Sequence, residues 1–182
     1  MLSRSQATVF PPAGGFTLVE VLVAIVVLSI GILGVAALQT RGLVQGQGGL
    51  QASQAITLAN AYADMMRANP VGAEDGDYQI SDPINSPPST APTASCTFTA
   101  TPSPCTAAQI AAWDQYSWFK QVGDTLPGGL AQVQCIDGAN CASSSIQTIR
   151  VFWDQARTGV QGLGCSADSS VDLACVTISL QP

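Results

Sequence analysis

The amino-acid sequence predicts an α+β fold, in which a long N-terminal helix packs on a small antiparallel sheet and disulfides staple the domain. Residues 21–38 form an uncharged apolar run, and residues 39–69 contain no proline, which together favour one long helix. Short segments of the C-terminal half alternate between apolar and polar residues, as strands with one buried face do. All six cysteines lie beyond the apolar run, which indicates disulfides in a loop-rich region.

Length and composition restrict the class of protein. The chain has 182 residues, a net charge of −6, only 10% charged residues and no histidine. The absence of histidine removes catalytic triads and histidine metal sites, and no phosphate-binding loop or nucleophile motif is present. An acidic chain also lacks the basic patches that nucleic-acid binding requires. We therefore expect a protein that is not an enzyme and that uses no cofactor, no metal and no nucleic-acid partner.

The apolar run is the first functional feature. Its 18 residues are about the minimum for crossing a hydrocarbon core of ~30 Å. A cleaved secretory signal would have small residues after the run, whereas Ala13, Gly14 and Gly15 precede it. We therefore expect a retained, single-pass membrane segment. The disulfide-like cysteines favour a C-terminal part that lies outside the cytoplasm.

Glu20 places a carboxylate at the front of this run. One interpretation is that it lies at the membrane interface and reaches water. The other is that it pairs with a cation during assembly. A cut between Gly15 and Phe16 would create such a cation, since the new α-amine of Phe16 would lie about one helical turn from Glu20. The partner could be its own amine or a neighbour's.

The stretch GFTLVEVLVAIVVLSIGILG resembles the N-terminal signature of type IV pilins and of the pseudopilins of type II secretion. The resemblance implies cleavage by prepilin peptidase between Gly15 and Phe16, N-methylation of Phe16, and a role for Glu20 in docking into a filament. It also implies a leader at 1–15, a long helix at 16–69 with the membrane or filament segment at 16–39, and a periplasmic domain at 70–182. The leader is longer and less basic than is usual in that family.

Two further stretches narrow the resemblance. LANAYADMMRANPVGAEDGDYQI and AAWDQYSWFKQVGDTLPGGLAQVQC are similar to segments of PilV-type minor pilins. That implies a structural subunit of the bacterial inner membrane and then the pilus, with other minor and major pilins and a PilY-type tip adhesin as partners. The alternatives are a minor pseudopilin of a type II secretion system and a filament-displayed module that binds DNA or surfaces, which the acidic composition disfavours.

Local signals predict the remaining elements. Pro70 should end the long helix, and the glycines at 46, 48 and 49 predict a bend or a locally melted turn, with a functional hinge as the sharper alternative. The apolar stripe should include Leu58, Tyr62 and Met65. The nearby acidic residues do not form a calcium-loop motif and are interpreted as a solvated loop, namely Glu74, Asp75 and Asp77.

After an irregular loop at 81–105, a second helix should start at Thr106, where Gln109 completes a capping box, and end near Asp124. Its aromatic residues are expected in the core, namely Trp113, Tyr116, Trp118 and Phe119. Strands are predicted at 132–136, 146–153 and 175–180, in a sheet of three or four strands. Proximity favours three cysteine pairs among 15 possible connectivities, with buried reduced thiols as the alternative: Cys96–Cys105, Cys135–Cys141 and Cys165–Cys175.

Overall fold

A computed structural model describes residues 14–93, 96, 105–136 and 145–181. Three helices precede a three-stranded sheet in the described chain. The elements are α1 at Leu18–Ala68, α2 at Pro70–Glu74, α3 at Ala107–Thr125, β1 at Leu130–Cys135, β2 at Gln147–Trp153 and β3 at Ala174–Leu180. The chain divides into two compact units, Met1–Gln45 and Gly46–Pro182, and each is described by itself. The predicted α+β fold, with a long helix packed on a small antiparallel sheet, is confirmed.

The first unit contains the front part of α1. The helix begins two residues later than predicted, because residues 14–17 are not helical. Its apolar side chains are uncovered, with exposed fractions from 49% at Val21 to 78% at Leu18. This helix is long and apolar enough to cross a membrane, and no part of its most apolar stretch is buried in the described chain.

The glycines near the unit boundary do not break the helix. The sequence predicted a bend or a melted turn at residues 46–49. The structure is helical at all four, so the melted turn is wrong, and the bend stays a prediction. Each glycine costs at most ~1 kcal/mol against alanine. Helix formation is cooperative, so the favourable residues on either side offset a penalty of this size.

The second unit is built on the C-terminal part of α1. One face of the helix is buried, and its members recur every three or four residues: Ala55, Leu58, Ala59, Tyr62, Ala63 and Met66. The predicted stripe was correct at Leu58 and Tyr62 but shifted at its end, where Met66 is fully buried and Met65 only partly. The difference is one position, about 100° around the helix.

The helix ends, as predicted, before Pro70, but a second short helix follows. Asn69 caps α2 with its side-chain oxygen, which accepts a hydrogen bond from the Gly72 N–H, and Pro70 stands at the first helical turn, where its missing N–H costs nothing. The predicted capping box is present at α3: the Thr106 hydroxyl accepts from the Gln109 N–H, and the Gln109 side chain accepts from the Thr106 N–H. Of the four aromatics, Trp118 is fully buried and the other three are partly buried.

The sheet has the order β1-β2-β3, and both pairings are antiparallel. Each strand starts and ends within two residues of its predicted limits. The face that carries Ile149, Val151 and Trp153 is buried, as the alternation predicted. Phe152, on the opposite face, is also fully buried although it does not belong to the main cluster. Alternation alone would have placed Phe152 in solvent.

Disulfides join Cys96 to Cys105 and Cys165 to Cys175, which are two of the three predicted pairs. Cys135 is also disulfide-bonded. Its predicted partner Cys141 lies outside the described residues, so the Cys135–Cys141 pairing stays a prediction.

Candidate processing and assembly site

The residues that surround the predicted cleavage point are non-helical and accessible. Gly14 to Thr17 are not helical, all four are exposed, and a side chain added at Gly14 or Gly15 would meet nothing within 4 Å. Phe16 is 84% exposed. A peptidase needs a reachable backbone outside regular structure, and the Gly15–Phe16 peptide meets that requirement.

Thr17 ends the non-helical segment and directly precedes α1. Its hydroxyl oxygen lies 3.3 Å from the Glu20 backbone nitrogen and accepts a hydrogen bond from it, and its carbonyl accepts from the same N–H at 3.1 Å. Threonine is a good N-cap, because its side chain satisfies an N–H that has no partner in the helix. The helix start therefore follows from the local sequence.

Glu20 lies in the first turn of α1, where the helix dipole favours a carboxylate. Together with Phe16, it borders a shallow groove of about 430 Å³ whose other residues are apolar: Val21, Ala24, Ile25 and Leu28. The ion pairs found among residues 14–93, 96, 105–136 and 145–181 are Arg67–Asp64 and Lys120–Asp124, so Glu20 has no cationic partner there. The arrangement is a carboxylate at the edge of an uncovered apolar helix.

The second unit is held together by a buried polar network that sequence reasoning missed. The Tyr62 hydroxyl donates to the Tyr78 carbonyl at 2.8 Å, and the Tyr78 hydroxyl donates to the Asp114 carboxylate at 2.6 Å. Asn69 donates from its amide nitrogen to the Ala107 carbonyl at 2.8 Å and to the Tyr78 hydroxyl at 3.2 Å. These bonds join α1 and α2 to α3, so the network fixes where α3 packs.

Burial changes the titration of this network. Desolvation, and then the hydrogen bond to Asp114, raise the pKa of the Tyr78 phenol well above its ordinary value. Desolvation also raises the pKa of the Asp114 carboxyl, against the opposing effect of the Tyr78 hydroxyl. The one sequence signal for this network was the Asn69-Pro70 pair, which is typical of a helix cap followed by a first-turn proline.

Trp118 connects the two long helices. Its ring stacks on Tyr62 with centroids 4.0 Å apart, and its Nε1–H donates to the Leu58 carbonyl at 2.8 Å. A nearby amide, Gln115, donates to the carbonyls of Asp77 and Gln79. The residues around Trp118 therefore serve packing, as the sequence predicted for the aromatic residues of α3.

Two protein-family models match the chain. Residues 12–36 match the prokaryotic N-terminal methylation motif, and residues 37–116 match a model described as type IV pilin Tt1218. Together the two matches cover residues 12–116 and support membership of the type IV pilin family. A type IV pilin that carries this motif has a prepilin-type N-terminus, which implies processing by prepilin peptidase, membrane anchoring and assembly with other pilins. Pilins are in general structural proteins.

The comparison with curated proteins and the comparison with solved structures give no match. The family models end at residue 116, so β1, β2 and β3 of this type IV pilin lie outside the matched ranges. The methylation-motif match includes Gly15, Phe16 and Glu20, the three residues that sequence reasoning selected for processing and docking.

Proposed function

We propose that this pilin is a minor subunit of PilV type that takes part in the initiation and assembly of type IV pili. In this proposal, prepilin peptidase removes residues 1–15, Phe16 is N-methylated, and residues 16–39 cross the bacterial inner membrane once. Residues 70–182 form the periplasmic domain, and the subunit then enters the pilus. Other minor and major pilins are its partners, with a PilY-type tip adhesin as a further one.

The observation that carries the proposal is the joint occurrence of an accessible Gly15–Phe16 peptide and an uncovered apolar helix headed by Glu20. Apolar surface left in water costs about 25 cal/mol per Å². A helix with this much exposed apolar surface therefore requires either lipid or other apolar helices around it. Both environments are available to a subunit that passes from a membrane into a filament.

In this proposal, a charge pair makes assembly depend on processing. A carboxylate inside an apolar bundle is costly unless a cation neutralises it. Cleavage creates an amine at Phe16, four residues before Glu20, and both residues border the same groove. An incoming subunit would then be favoured only after processing, because the uncut chain has no such amine at that position.

Mass spectrometry of the chain purified from its native membrane tests the processing step. We expect an N-terminal peptide that starts at Phe16 and carries one added methyl group. Replacing Gly15 by Leu should leave the chain uncut, whereas the matched change Gly14→Ala should still allow cleavage. A full-length, uncut chain recovered from purified pili would contradict the proposal.

The alternative function is a minor pseudopilin of a type II secretion system, which would share the processing site and the apolar helix. Deletion of the gene separates the two if surface pili and secreted proteins are scored independently. We expect loss of pili with normal secretion. Loss of secretion with normal piliation would replace the pilus proposal by the secretion one.

A further inference from the structure

The face of the sheet that points away from the helices carries two rows of polar residues. Ile149 and Val151 of β2 point into the core, so their neighbours along the strand, Thr148 and Arg150, point to the other face. The register places one residue of β1 and one of β3 beside each of these two. The resulting surface, here called the polar face, consists of Gln132, Gln134, Thr148, Arg150, Thr177 and Ser179.

The polar face is accessible to solvent. Gln134, Thr177 and Ser179 are exposed, and the other three residues are partly buried. The next row along the strands is different, since Phe152 is fully buried there and Cys175 belongs to a disulfide. Because strands lie about 4.8 Å apart and alternate residues of a strand about 6.8 Å apart, the polar face measures about 10 Å by 7 Å.

Arg150 is the charged residue of the polar face and lies on the central strand. Its Nη1 donates to the Gln132 side-chain oxygen at 3.4 Å, and the Gln132 amide in turn donates to the Ser81 carbonyl at 3.1 Å. In the part of the chain that the structure describes, Arg150 forms no ion pair, whereas Arg67 and Lys120 each pair with an aspartate. The guanidinium is therefore held in position while most of its five N–H groups stay available.

The side chains around Arg150 are neutral, and most of them also lack partners. Within the described residues, no side-chain hydrogen bond is made by Gln134, Thr148, Thr177 or Ser179. Hydroxyl and amide side chains both donate and accept, so a ligand that is rich in hydroxyl groups satisfies all of them. The polar face holds no carboxylate, and salt screens carboxylates elsewhere, because the Debye length is about 8 Å at 0.15 M ionic strength.

We propose that the polar face binds an acidic carbohydrate, a sugar chain that carries carboxylate groups, with one carboxylate on Arg150. A guanidinium binds a carboxylate through two parallel N–H···O bonds, which are stronger than bonds between neutral groups. The flanking hydroxyl and amide groups then exchange hydrogen bonds with the sugar hydroxyls. Because Gln132 already orients the guanidinium, less conformational freedom is lost when the ligand binds.

The composition of the polar face distinguishes this ligand from two others. A stable protein interface has a buried core with apolar and aromatic anchors, and none of the six residues is apolar. A nucleic acid requires several cations to neutralise its phosphates, whereas the polar face has one and the chain carries a net charge of −6. A sugar chain is polar over its whole surface, and one or two of its rings fit a patch of this size.

Nuclear magnetic resonance of the full chain in detergent micelles, with isotopically labelled arginine, tests the proposal. The chain has five arginines, so each side-chain N–H signal can be assigned by substitution. The probe is trigalacturonic acid. We expect the Arg150 signal to shift with a Kd in the millimolar range or below, while the Arg67 and Arg157 signals stay in place. The methyl ester of the same trisaccharide should leave Arg150 unshifted, because it has no carboxylate.

Substitutions on the polar face should weaken binding by predictable factors. Arg150→Gln should weaken it at least tenfold, because it removes a charge-assisted pair. The matched control is Arg157→Gln, an exposed arginine outside the polar face, and it should bind like the wild type. Thr177→Val removes a hydroxyl with little change in volume and should weaken binding about threefold. If Arg150→Gln does not fold, the wild-type spectra with the acid and its ester decide.

Three outcomes would overturn the proposal. The ester could shift the Arg150 signal as strongly as the acid, which would mean that charge is not recognised. All exposed arginines could shift equally, which would mean unspecific attraction. An acetylated and amidated Glu-Glu-Glu peptide could bind more tightly than the sugar, which would make a protein the partner. None of these outcomes depends on cleavage at Gly15 or on pilus formation, so failure here is distinguishable from failure of the proposed function.

Discussion

Asn69 is the residue whose substitution best tests whether the buried polar network stabilises the second unit. It is 8% exposed and makes three hydrogen bonds, to the Gly72 N–H at 3.4 Å, the Ala107 carbonyl at 2.8 Å and the Tyr78 hydroxyl at 3.2 Å. Asn69→Ala removes all three. Loss of the cap costs about 1 kcal/mol, and loss of the two donated bonds adds about 0.5–1.5 kcal/mol in total, because both acceptors keep other partners.

We therefore expect Asn69→Ala to lower the free energy of unfolding by about 2 kcal/mol, a large share of the 5–15 kcal/mol that is typical of a domain. The measurement is urea unfolding of the full chain in detergent, followed by tryptophan fluorescence, since Trp118 is buried and stacked on Tyr62. Asn69→Asp keeps the capping oxygen but replaces the donating amide by a carboxylate oxygen against the Ala107 carbonyl, so it should lose at least as much stability as the alanine variant.

The matched control is Asn60→Ala, on the exposed side of the same helix, where the amide bonds only to the Ile56 carbonyl. Its free energy of unfolding should stay within about 0.5 kcal/mol of the wild type. If Asn69→Ala were as stable as Asn60→Ala, the network would not hold α2 and α3 in place, and the reasoning would be refuted.

Three further predictions concern docking, acid sensitivity and the C-terminal disulfide. Glu20→Gln should leave cleavage intact but reduce recovery of the subunit in sheared pili at least tenfold; normal recovery would remove Glu20 from the docking step. The Gly159 N–H lowers the pKa of Asp154, so this carboxylate stabilises the fold above the unfolded-state pKa of about 3.9 and the stabilisation is lost as the pH falls through the lower folded-state pKa. The difference in melting temperature between wild type and Asp154→Asn should accordingly narrow as the pH falls from 6 to 3, and a constant difference would contradict the assignment. Replacing Cys165 and Cys175 together by Ser opens a loop of 10 residues and should cost about 3 kcal/mol in the same urea assay; an unchanged midpoint under non-reducing conditions would count against that role.

The sheet shows what register adds to a strand prediction. Alternation in the sequence correctly assigned Val176, Ile178 and Leu180 to one face, because side chains alternate with a period of two. The Ile80–Val133 bridge, which joins β1 to the chain before it, links residues that are 53 positions apart. No periodicity relates residues at that separation, so this bridge could not be predicted from the sequence.

The same division applies to the helices. The start of α3 could be predicted because a capping box involves residues three positions apart, and the end of α1 could be predicted because Pro70 cannot continue a helix. The melted turn at residues 46–49 was wrongly predicted, since glycine propensity is a weak preference that neighbouring turns override. The burial of Met66 in place of Met65 depends on how α1 is rotated against its partners.

The sequence by itself determined the features that act locally: the N-terminal methylation motif, the position of Glu20 at the front of the apolar helix, and the caps and alternating strands. These follow from spacing within a few residues and from side-chain chemistry. Only the tertiary structure decided the features that depend on distant residues. It brought Tyr78 onto Asp114 and Asn69, buried Phe152 on the second face of the sheet, and paired Val133 with Ile80. Hydrogen bonds and packing between residues far apart in the chain form only when the whole domain folds, and that is the physical reason for the difference.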